Sequence, residues 1–87
     1  MEKRGYNILF GDFVRYKRSK KGMSQSDLAD LMSNNFQNIS RLERGLITPT
    51  LYWVKNLADA FEFKLSDLII EFEMFIKMQE KKSKHKL

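Results

Sequence analysis

The sequence contains no cysteine, which excludes disulfides and thiolate-bound zinc and fits an intracellular setting. Its single histidine, His85, stands in a lysine-rich tail without partner ligands, so no metal is expected there. A Gly-rich phosphate loop is missing, as is any His/carboxylate cluster at metal-binding spacing. These gaps leave no catalytic constellation, so neither an enzyme nor a cofactor is expected. No apolar run approaches the ~20 residues of a membrane span, and the opening MEKRGYN lacks the apolar core of a signal peptide. A cytoplasmic location without membrane contact is the expectation. The only proline, Pro49, marks a loop.

What is present is enough for one small domain of 87 residues, with 43% hydrophobic and 31% charged residues, a globular rather than a disordered balance. Domains of this size bury a modest fraction of their surface, which makes oligomerisation a plausible further source of stability. The net charge of +5 is unevenly spread. Between Phe13 and Arg44, seven Lys/Arg face three acidic residues; between Lys55 and Glu80, three Lys face six. The basic half is where a polyanion would sit.

That half holds the most informative stretch, Met23–Gly45. Ser24 is a natural N-cap, with Asp27 three residues on as a short-armed capping-box partner. Leu28, Leu31 and Met32 then recur at helical spacing. Ser33, Asn34 and Asn35 break the pattern; Asn tolerates the left-handed conformation that such a turn needs, and Asn35 can cap the next helix. This second helix runs from Phe36 to Arg44, buries Ile39 and Leu42, and stops at Gly45. Its other positions, Phe36, Gln37, Asn38, Ser40 and Arg41, are not the Glu and Lys of an ordinary solvated face. Gln, Asn, Ser and Arg hydrogen-bond base edges, and Phe can meet a thymine methyl.

Around these two helices the expected order is one helix before and two after. The first spans Asn7 or Ile8 to Lys21, with Phe10, Phe13 and Val14 as its apolar stripe and Leu9 or Tyr16 at the margin. Thr50 caps the fourth, whose buried side is Trp53, Val54, Leu57, Ala58 and Phe61 and which stops near Glu62. The fifth starts at Leu65 to Asp67 and runs to Met78 or beyond. Leu65, Leu68, Ile69, Phe72, Phe75 and Ile76 give it one apolar face, and Ile70, Met74 and Met78 a second on the opposite side. The second face, with Phe75 at its margin, calls for a partner surface, most simply another copy of the chain. The domain core is expected over about residues 8–78 and the basic tail 79–87 is expected to fray.

Gly22-Met23-Ser24-Gln25, Leu28-Ala29, Ile39-Ser40-Arg41-Leu42-Glu43-Arg44-Gly45 and Pro49-Thr50-Leu51 resemble the helix-turn-helix domains of the phage Cro and repressor type, also called XRE-type, over about Phe13 to Leu68. The resemblance implies an all-α, five-helix, lambda-repressor-like domain, here with an extended C-terminal helix. It also implies a homodimeric regulator of transcription that binds double-stranded DNA at a palindromic operator. The bare domain is similar to small phage-type repressors and restriction-modification controller proteins, and no small-molecule effector is expected. Gln37 and Arg41 match family positions that face base edges, flanked by Phe36 and Ser40. Gln25, Asn35, Asn38, Arg44, Lys20 and Lys21 are the candidates for the DNA backbone. Arg18 matches a position that pairs with the acid found here as Glu43.

Three departures from the family pattern leave questions open. Lys17 stands where Leu or Ile is usual, and its stem can snorkel. Ser33-Asn34 replaces a common Gly-aliphatic pair, so Phe36 either turns inward as an anchor or stays outside to meet bases. The second apolar face of the last helix could instead grip another protein, as in antitoxins of this fold that bind a toxin.

Overall fold

Ser24, Asn35 and Thr50 each hold a side-chain oxygen against the backbone N–H of the residue three positions later, and each therefore starts a helix. At Ser24 the capping box is complete, since Asp27 accepts in return from the Ser24 N–H at 2.9 Å. The computed structural model, which describes residues 1–85 and the side chains of 1–82, contains five helices. They are α1 (Lys3–Lys20), α2 (Gln25–Leu31), α3 (Phe36–Glu43), α4 (Leu51–Ala60) and α5 (Leu65–His85). Among the described residues no strand occurs, and no helix is long and apolar enough to cross a membrane.

The core collects one face from every helix: Phe10, Phe13 and Val14 from α1, Leu28 and Ala29 from α2, Ile39 and Leu42 from α3, Val54, Leu57 and Ala58 from α4, and Leu68, Phe72 and Phe75 from α5. Phe61, just past α4, is fully buried with them. Phe72 is the centre of the aromatic packing, with Tyr6, Phe10 and Phe13 at ring-centroid distances of 5.0–5.3 Å.

Several expectations are corrected. α1 begins at Lys3, four residues before Asn7, because tertiary contacts hold its first turns. The Tyr6 ring stands edge-on to Phe72, and Asn7 Nδ2 donates to Thr48 Oγ1 at 2.8 Å. The left-handed residue between α2 and α3 is Ser33, φ 51°, rather than an Asn; Asn34 and Asn35 spend their side chains on caps instead. Leu31 lies 59% exposed, since a seven-residue helix turns only one edge inward and Leu28 with Ala29 takes it. Ile69, expected on the core face of α5, is partly exposed at its border. Phe75, expected on the core face of α5 and also at the margin of the second face, takes the core place alone: it is 9% exposed and packs on Phe13 and Tyr16.

Lys17 is buried with the core, as its place on α1 demands. Its Nζ donates to Glu71 Oε1 at 2.7 Å and sits 3.9 Å from the centroid of the Phe63 ring. The stem fills the space of an aliphatic residue, while the ammonium is met by one carboxylate and one π-face. α4 ends as expected by Glu62, which takes the left-handed conformation, φ 61°, without being glycine.

Candidate nucleic-acid interface

The recognition-type helix is held by one buried carboxylate. Glu43 is 1% exposed at the end of α3. Arg18 Nε donates to its Oε2 at 2.7 Å and Arg18 Nη2 to its Oε1 at 3.0 Å, a bidentate pair between α1 and α3. Gln25 Nε2, in the first turn of α2, donates to the same Oε1 at 3.0 Å, and Arg15 Nε lies 3.6 Å from it. Arg18 Nη1 also reaches the Met23 carbonyl at 2.8 Å, which ties in the turn before α2. Side chains of α1 and α2 thus converge on one carboxylate of α3, and Arg18 adds the turn at Met23.

The charges are set by this enclosure. Burial pushes the Glu43 carboxyl up, but hydrogen bonds from Arg18 and Gln25 and the charges of Arg18 and Arg15 outweigh burial and hold it below its ordinary range. The hydrogen bond to Glu43 raises Arg18 in turn, against a smaller opposing effect of burial. Both stay ionised at neutral pH.

With Ile39, Leu42 and Glu43 turned inward, α3 presents Phe36, Gln37, Arg41 and Arg44 to solvent and leaves Asn38 and Ser40 half-buried. Phe36 is 52% exposed, so it does not replace the missing apolar anchor of the turn. Asn38, expected only as a backbone contact, also organises the outer face of α3. Its Nδ2 donates to Asn34 Oδ1 at 2.8 Å, and its Oδ1 accepts from Arg41 Nη1 at 2.9 Å. Asn34 in turn accepts from the Asn35 N–H at 2.9 Å. The Asn34–Asn38–Arg41 chain has i, i+4 and i, i+3 spacing, so its signal is visible in the sequence. Arg44 bends back, Nε donating to the Ser40 carbonyl at 3.3 Å. Lys20 and Lys21 are exposed at the end of α1, next to the turn into α2. Gln25 is half-buried and already braced on Glu43.

The expected charge division is carried by exposed side chains. Lys20, Lys21, Arg41 and Arg44 stand out on the α1–α3 half, whereas Asp59, Glu62, Asp67, Glu73 and Glu80 are exposed on the α4–α5 half. Among the described residues no group of His, Cys, Asp and Glu is placed to hold a metal ion.

A short helix braced across its partner, with a polar and basic outer face of base-reading residue types, defines a helix-turn-helix DNA-binding protein. The chain belongs to the helix-turn-helix family HTH_3, which it matches over residues 14–68. It is a DNA-binding transcriptional regulator of the XRE type. No curated protein matches the chain in sequence. Among solved structures, it is similar to the clp gene regulator ClgR from Corynebacterium glutamicum, with a TM-score of 0.78, 22% identity, and 91% of this chain and 84% of that one covered. It is also similar to the restriction-modification controller protein C.AhdI from Aeromonas hydrophila, with a TM-score of 0.72, 28% identity, and coverage of 78% and 99%. An HTH_3 family transcriptional regulator from Vibrio cholerae aligns with a TM-score of 0.72 at 18% identity over 80% of this chain and 39% of that one.

Proposed function

We propose that the chain is a cytoplasmic, sequence-specific regulator of the repressor or controller type that acts as a homodimer on a palindromic operator. The observation that carries this reading is the pairing of two surfaces. One is the braced outer face of α3; the other is the apolar stripe Ile70, Met74 and Met78 on α5, 53%, 59% and 52% exposed. The N-terminal segment of the same chain does not cover that stripe, because Tyr6 packs on Phe72 and Ile8 lies against Gly45.

In this reading Gln37 and Arg41 take bidentate contacts with adenine and guanine, Ser40 and Phe36 flank them, and Asn38 aims Arg41. Lys20, Lys21, Asn35, Arg44 and Gln25 meet phosphates, and Asn38 keeps a second amide hydrogen for one. The restriction-modification controller protein C.AhdI, to which the chain is similar, supports the controller-type reading. Selection of bound sequences from random duplex DNA tests the whole. The expected product is a palindrome whose half-sites lie ~34 Å apart or a multiple of it. Enrichment of a single half-site would sink the homodimer, and no enrichment would sink base reading.

A further inference from the structure

The exposed stripe of α5 is bounded by charges whose arrangement says what covers it. Five solvent-facing residues lie along one line on the helix: Asp67, Ile70, Met74, Met78 and Lys81. At 3.6 residues per turn they fall within about 80° of arc. Their spacing is symmetric about Met74, which has Ile70 four residues before and Met78 four after, then Asp67 three further back and Lys81 three further on. The centre is apolar at the same spacing read in either direction. The ends are opposite in charge.

We propose that a second copy of the chain packs antiparallel along α5, with the twofold axis at Met74. This rests on the homodimer reading above and specifies its geometry. A twofold perpendicular to the helices brings position 74 − n of one copy opposite position 74 + n of the other. Met74 then meets Met74 of the second copy, Ile70 meets its Met78, and Asp67 meets its Lys81, with Lys82 alongside. Each contact off the axis occurs twice, as an isologous interface requires, and Met74 meets its own copy once on the axis. A parallel pairing of the same faces would set Asp67 against Asp67 and Lys81 against Lys81 at both ends, which like-charge repulsion disfavours. The complementarity is a property of the chain with itself, which favours a second copy over an unrelated protein. A groove of about 310 Å³ lined by Phe13, Tyr16, Glu71, Met74, Phe75 and Met78 runs along one edge of the stripe, so the apolar surface continues onto α1. Asp67 and Lys81 are ~21 Å apart along the helix, the length of the contact.

The absence of cysteine allows the register to be read directly by cross-linking. Met74→Cys is expected to form a disulfide-linked dimer on mild oxidation, because residues on a twofold between packed helices come within disulfide reach. Ile70→Cys alone and Met78→Cys alone should not cross-link, since each lies ~12 Å along the axis from its own copy. An equal mixture of those two variants should cross-link as the mixed dimer. Ile70→Cys joining to itself would overturn the antiparallel register. The three positions are exposed, and circular dichroism of each variant shows that it folds.

Charge exchange gives a second arm. Asp67→Lys and Lys81→Asp should each weaken dimerisation by about tenfold, with two repulsive contacts per dimer, and mixing them should restore it as a heterodimer. Loss of a helical charge alone cannot be rescued by a different variant, so no recovery on mixing overturns the pairing. The failures are distinguishable: wild type that sediments as a monomer at micromolar concentration removes the homodimer itself, whereas a dimer with the wrong cross-links removes only this arrangement.

Discussion

Glu43 shows how one side chain ties α3 to the two helices before it. A carboxylate with 1% exposure is costly unless its lone pairs are met, and here Arg18 and Gln25 meet them. Glu43→Gln keeps the shape but removes the charge that the partly buried Arg18 needs, so it should cost roughly 3–5 kcal/mol in urea unfolding at pH 7. Because the folded pKa lies below the ordinary value of 4.5, the unfolded chain takes up a proton first as the pH falls. The contribution of Glu43 is therefore complete above about pH 4.5 and is lost as the pH falls through the lowered folded value. Unfolding midpoints measured from pH 7 to pH 3 should decline more steeply in wild type than in Glu43→Gln, and parallel curves would refute the assignment. Arg41 makes a different point, since its partner Asn38 aims it rather than buries it. Arg41→Ala should leave stability nearly unchanged, cost ~1–3 kcal/mol on the preferred operator and relax selection at one or two base pairs. An unchanged ratio of operator to random-DNA affinity would remove Arg41 from the reading set.

At the scale of elements, the close approach of α1 and α3 depends on a missing side chain. A Cβ on Gly11 would lie 2.5 Å from the carbonyl oxygens of both Leu42 and Glu43, which are backbone atoms that cannot turn aside. Gly5, on the same helix, would place its Cβ 3.7 Å from Met1 Cγ, an ordinary contact. Helix propensity favours alanine over glycine by up to ~1 kcal/mol at either position. At Gly5 that gain should survive as a small rise in melting temperature. At Gly11 it is overridden, because α3 must shift away from α1, and overpacking costs ~1–3 kcal/mol. Gly11→Ala should melt lower than wild type and lose operator affinity beyond what its stability predicts, since α3 carries the reading face. Equal melting of the two variants would contradict the packing described.

For the molecule as a whole, α5 connects two tasks. It closes the core through Leu68, Phe72 and Phe75, and its far side carries the stripe assigned to the second copy. Consecutive residues of α1 link both ends: Lys17 holds Glu71 of α5, and Arg18 holds Glu43 of α3. Two adjacent residues of α1 thus touch both α5 and α3. Ile70→Asp should give a folded, helical monomer, because the carboxylate stays hydrated there and loses that hydration only on dimerisation. Affinity for a palindromic operator should then drop steeply in a binding titration while the circular dichroism is unchanged. A variant that still sediments as a dimer would place the interface elsewhere.

Local chemistry is what the sequence determined alone. The caps at Ser24, Asn35 and Thr50 and the stop at Gly45 involve neighbours within a few residues, so spacing and residue type suffice to find them. The two-faced character of α5 was legible for the same reason, because helical period sorts residues by direction. Period does not say what stands opposite. The early start of α1 came from Tyr6 and Asn7 meeting residues of α5 and the α3–α4 loop, more than forty positions away. Leu31 and Ile69 lie more exposed than their apolar spacing predicts, because neighbouring helices cover one edge of an apolar stripe and leave the other open. Lys17 looked like a flaw in the core until Glu71 and Phe63, remote in sequence, were brought around its ammonium. The site divides likewise. The polar and basic residue types on the outer face of α3 were already present in the sequence, whereas the bracing of that helix on Glu43 needed α1 and α2 folded against it, since only their enclosure makes one carboxylate both buried and satisfied.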